Sequence, residues 1–86
     1  MPGEVDLNPI TLPKNRRSLS RVREGEDVRV ITVTGGRGVH RRLRDLGIGT
    51  GSRLKVVQNT GGPVIVMVGD SRMGLGRGVA EKIFVE

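Results

Sequence analysis

Cysteine, tryptophan and tyrosine are all absent from this 86-residue chain. Without thiols there is neither a disulfide framework nor a thiolate metal site, which fits a reducing compartment. One aromatic residue, Phe84, leaves the core to aliphatic side chains, and the terminal run that holds it predicts core packing for its ring. It also leaves no row of platforms on which the bases of a single-stranded nucleic acid could stack. The one histidine, His40, has no second histidine four residues away, and no carboxylate spacing suited to a helical metal site accompanies it. His40 therefore reads as a solvent-facing or capping residue on a helix flank, and neither a metal site nor a cofactor is expected. Long apolar runs are missing too. Met1 to Asn15 is broken by Pro2, Pro9 and Pro13, and nothing approaches the ~18 residues of a membrane span or the pattern of a secretory signal. A soluble, cytoplasmic protein is predicted.

What the chain does have is positive charge: 15 Lys+Arg against 9 Asp+Glu, a net charge of +6. Such an excess suits a nucleic acid, an anionic membrane surface or an acidic protein as partner, as well as serving solubility. Catalytic groupings find no support. Glu24, Glu26 and Asp27 cluster in a turn that reads as solvated, and no Ser-His-Asp or Cys-His set can be assembled. The glycines of Thr34-Gly35-Gly36-Arg37-Gly38 stand between a strand and a helix, where a phosphate loop would lie. No Lys-Ser or Lys-Thr pair follows them, so they read as turn residues, and Gly74-x-Gly76-x-Gly78 reads the same way. The chain is a binding module by this reading, not an enzyme.

Along the sequence, Met1 to Ser18 is polar, proline-punctuated and ends in Lys14-Asn15-Arg16-Arg17, which predicts a loosely held tail. From Leu19 the pattern changes. Val28 to Val33 and Arg53 to Gln58 alternate as strands do, Val64 to Val68 is apolar throughout, and Ser71 to Leu75 and Ile83 to Val85 complete a set of about five short strands. Asn59 to Pro63 and Gly69-Asp70 supply hairpin connections, and Val79 to Lys82 one helical turn. Short strands separated by glycine-rich turns predict a mainly β small barrel or sandwich, with one short helix inserted after the first strand.

That helix is the most informative segment. At about 100° per residue, Val39, Leu43 and Leu46 share one narrow face while Arg41, Arg44 and Asp45 point away from it. Gly47 stands where a left-handed residue closes a helix, and Arg42 and Arg44 stand near its negative end. Arg42 is about 65° from the centre of the apolar face, which predicts that its stem packs along the barrel edge while its head meets a carbonyl or carboxylate.

Taken in order, Leu19-x-x-Val22-x-x-Gly25, the strand at Val28 to Val33, Arg42-Leu43-x-x-Leu46-Gly47-Ile48-x-x-Gly51, Pro63 with Val64 to Val68, Leu75 and Ile83-x-Val85 resemble the FeoA family. The resemblance covers Leu19 to Val85, so residues 19–86 are expected to be the domain and 1–18 the tail. Two positions depart from the family pattern: Thr50 where proline is frequent, and Gly76 where a basic residue is frequent, with Arg77 next to it. The resemblance implies an SH3-like small barrel and a non-enzymatic role beside FeoB, a membrane ferrous iron transporter whose cytosolic part hydrolyses GTP. In that role Arg37, Arg41 and Arg44 are the expected partner-binding residues, while Arg42, Leu43, Leu46, Gly47 and Gly51 form the structural motif. The same barrel ends metal-dependent repressors, which carry a DNA-binding domain ahead of it, and eighteen residues of tail are too few for one. A small basic barrel that binds nucleic acid is the alternative.

Overall fold

The computed structural model describes residues 16–86. Most of the predicted tail, Met1 to Asn15, lies outside the described residues. Six strands, β1 (Arg17–Ser18), β2 (Asp27–Val33), β3 (Arg53–Gln58), β4 (Val64–Val68), β5 (Ser71–Leu75) and β6 (Ile83–Val85), form one sheet in the order β1-β6-β2-β3-β4-β5. Every neighbouring pair is antiparallel. A short 3-10 turn spans Leu19–Arg21, helix α1 spans Arg37–Asp45 between β2 and β3, and a single helical turn α2 (Arg77–Ala80) precedes β6.

The two-residue period of the strands sends alternate side chains inward. Val28 and Val30 of β2, Leu54 and Val56 of β3, Val64 and Val66 of β4, Leu75 of β5 and Ile83 and Val85 of β6 are all buried. Leu19 and Val22 close the core from the first segment, Leu43 from α1, Ile48 from the turn after it, and Ala80 from α2. The same alternation corrects the expectation for Phe84. With Ile83 and Val85 inside, its ring faces the other way, half-buried, with the Arg16 guanidinium 4.7 Å from the ring centre.

The sheet has six strands rather than about five, because Arg17 and Ser18, placed by sequence in the tail, pair with Val85 and Phe84. Two residues are too few to show alternation, and main-chain pairing holds them. Arg17 also reaches Glu26, with Nη2 donating to Oε1 at 2.6 Å, and the Arg23 backbone N–H donates to the same carboxylate at 2.8 Å. These contacts, the Arg17 hydrogen bond first, hold the Glu26 carboxyl below its usual pKa.

A polar hub on one side of the barrel has no local signal in the sequence. Asn59 donates through its side-chain nitrogen to the carbonyls of Ser20 (3.0 Å) and Val22 (2.8 Å). Its side-chain oxygen accepts from Arg77 at 3.0 Å. Arg77 donates further to the carbonyls of Gly62 (2.7 Å) and Ser20 (3.0 Å). The arginine beside the departing Gly76 therefore ties the β3–β4 hairpin loop to the first segment. The helical turn holding it begins at Arg77, two residues earlier than the sequence predicts.

Candidate interaction surface on helix α1

Helix α1 is fixed at both ends by its chain neighbours. At its start, the Thr34 amide donates to the Lys82 carbonyl at 2.8 Å, and Gly36 is the N-cap. At its end, Gly47 has φ of +83°, its N–H donates to the Arg44 carbonyl at 2.9 Å, and the Ile48 N–H donates to the Leu43 carbonyl at 2.8 Å. This is the paired closure of a Schellman motif, with buried Leu43 and Ile48 as its apolar contact. Nothing lies within 4 Å of where a Gly47 Cβ would stand, so the demand for glycine here is conformational. Gly47→Val is expected to cost about 1–2 kcal/mol through left-handed backbone strain, read as a lowered denaturant midpoint. An unchanged midpoint would show that the turn tolerates a branched residue.

Leu43 is 1% exposed, whereas Val39 and Leu46 are half-buried at the margin of the core. The predicted apolar face is present but its burial is unequal. Arg42 differs from expectation: its side chain is exposed and makes no hydrogen bond or ion pair among the described residues. The amides of Leu46, Gly47 and Ile48 take the nearby carbonyls of Arg42, Leu43 and Arg44, and no carboxylate stands within ion-pairing distance of the guanidinium among the described residues.

Arg37, Arg41 and Arg44 stand within about 60° of one another around the helix, and all three are exposed. With His40, Gly35 and Gly36 they line a shallow concavity of about 450 Å³. The two ion pairs among the described residues, Arg17–Glu26 and Arg29–Glu86, involve none of them. Their charge is thus directed outward. No three His, Asp or Glu side chains among the described residues are grouped closely enough to hold a metal ion, and no described helix is long and apolar enough to cross a membrane.

A sheet of short antiparallel strands curled over an aliphatic core, with one amphipathic helix presenting cations, defines a small SH3-like domain. The chain belongs to the FeoA domain family, whose model matches residues 17–86. A Methanocaldococcus jannaschii protein that carries the name Fe(2+) transport protein A is 46% identical over 68 residues, 79% of this chain and 83% of that protein. The crystal structure of a FeoA described as an iron uptake regulatory protein superposes with a TM-score of 0.79 at 28% identity, over 83% of this chain and 96% of that one. A manganese-dependent transcriptional repressor superposes at 0.77 with 26% identity, over 83% of this chain but 41% of the repressor. In that protein the same fold is one part of a longer chain.

Proposed function

We propose that this protein is a non-enzymatic accessory protein of ferrous iron uptake, acting in the cytoplasm by contact with a FeoB-type, GTP-hydrolysing membrane transporter. Membership of the FeoA family and the relative named as an iron(II) transport protein support the pathway. The observation that carries the mode of action is the row Arg37, Arg41 and Arg44, exposed on one helix face and engaged in no ion pair among the described residues. Such a face steers encounter with an acidic surface and sets its orientation. The nucleic-acid alternative is weakened by Phe84, whose ring carries the Arg16 guanidinium over one face and so offers little stacking surface.

Reversing two of these charges, Arg41→Glu with Arg44→Glu, is expected to leave the fold intact, because both side chains are exposed. Binding to the transporter's cytosolic domain should weaken by about tenfold or more and slow, with a shallower salt dependence. Association rates measured at low and moderate salt provide the check. Equal binding by the double variant would place the contact elsewhere, and no binding by the parent chain would remove the proposed partner.

A further inference from the structure

A second basic surface lies on the sheet itself, away from α1. Residues directly paired across strands project from the same face. The register pairs Arg29 with Arg53 and Asp27 with Lys55 between β2 and β3, Lys55 with Met67 between β3 and β4, and Met67 with Arg72 between β4 and β5. This is the outer face, since the intervening residues Val28, Leu54 and Val66 are buried. Four cations and the half-buried Met67 therefore share it with two carboxylates, Asp27 and Glu86. Between them the surface sinks into a concavity of about 660 Å³, lined by Asp27, Arg29, Arg53, Lys55, Met67 and Glu86 among others.

The pairing of Arg29 with Arg53 opposes the fold, because like charges directly opposite on a sheet repel. Glu86 relieves Arg29 at 3.1 Å. No carboxylate forms an ion pair with Arg53, Lys55 or Arg72 among the described residues. A repulsion kept on an exposed face, around an apolar floor, marks a surface arranged for a ligand of opposite charge.

From this arrangement we infer that the outer face of β2–β5 docks an extended acidic segment of a partner protein, with carboxylates at alternate positions. Arg53 and Lys55 are two residues apart on one strand, a spacing of about 6.8 Å. An extended peptide lying along β3 repeats its own alternate side chains at that distance. Its carboxylates can then meet Arg53 and Lys55 in turn, with Arg29 and Arg72 flanking and the methylene stems of the inward acidic side chains resting on Met67, while the intervening side chains point to solvent. Charge-assisted pairs with Arg supply directional hydrogen bonds as well as attraction. Strands β2–β5 carry no aromatic side chain on this face, and the ring of Phe84 on neighbouring β6 is covered by the Arg16 guanidinium, so no base-stacking platform is offered. The face is concave, a shape that follows an extended chain more closely than a flat lipid headgroup surface. The inference is independent of the α1 face and concerns different residues.

The test is an amide NMR titration of the full chain with a synthetic peptide alternating Thr and Glu. A peptide of the same composition with its Glu residues in one block serves as the control. Shifts are expected on β3, β4 and β5. Binding should weaken about tenfold in Arg53→Gln with Lys55→Gln, and stay unchanged in Arg41→Gln with Arg44→Gln. Arg53→Gln alone should leave the thermal midpoint unchanged or raise it, since it removes a repulsion. The inference is overturned if the alternating peptide does not bind, if the block peptide binds equally well, or if both double variants weaken binding alike. A lowered midpoint for Arg53→Gln would assign that residue a structural role instead. Larger shifts on the same strands with oligo-dT or with phosphatidylserine vesicles, at matched charge, would equally overturn it.

Discussion

Replacing Leu43 with alanine is expected to lower the unfolding free energy by about 2–5 kcal/mol, the range for a fully buried leucine whose cavity cannot collapse. Leu43 is the one residue of α1 sunk completely into the core, at 1% exposure. Its backbone carbonyl also receives the Ile48 amide that closes the helix. The loss would be a large share of the roughly 5–15 kcal/mol that holds a small domain together. Leu46→Ala should cost distinctly less, since Leu46 is only half-buried. Urea midpoints of the two variants provide the comparison. Equal, small losses would mean that the helix rests on the sheet without anchoring to it.

The second large effect is expected at Asn59. Its side chain satisfies two carbonyls of the first segment and accepts from Arg77, while its backbone N–H donates to Glu24 at 2.8 Å. Asn59→Ala removes three side-chain hydrogen bonds and leaves the Val22 carbonyl without this donor. Truncating one partner of a partly buried set costs about 1–3 kcal/mol through the groups left unpaired. Arg77 remains able to reach Ser20 and Gly62, so Arg77→Ala in the same background should be less damaging than in the parent. A double-mutant cycle measures that coupling. Strictly additive losses would show that the two side chains act separately.

Much of the fold was legible because it depends on local chemistry. Alternating branched residues announced β2 and β3, and glycine at position 47 announced the helix stop and its left-handed backbone. Gly69, with φ of +62°, gave the two-residue turn joining β4 to β5. The candidate arginines were also legible, because Arg37, Arg41 and Arg44 are brought to one face by helical periodicity alone. The head of Arg42 departs from its expected contact, because a helical wheel reports direction and not whether an acceptor is waiting.

By itself, the sequence determined the core's aliphatic make-up, the absence of thiol chemistry, the family and the amphipathic helix. Each of these follows from residue type or from spacings within a few positions. Only the tertiary structure decided that Arg17 and Ser18 join the sheet, that Asn59 and Arg77 form one hub across 18 positions of sequence, and that Arg53 faces Arg29. Those outcomes depend on strand register and on carbonyls supplied by remote segments. Register is fixed by burying one whole face of the sheet at once, a condition that no local stretch of residues can express.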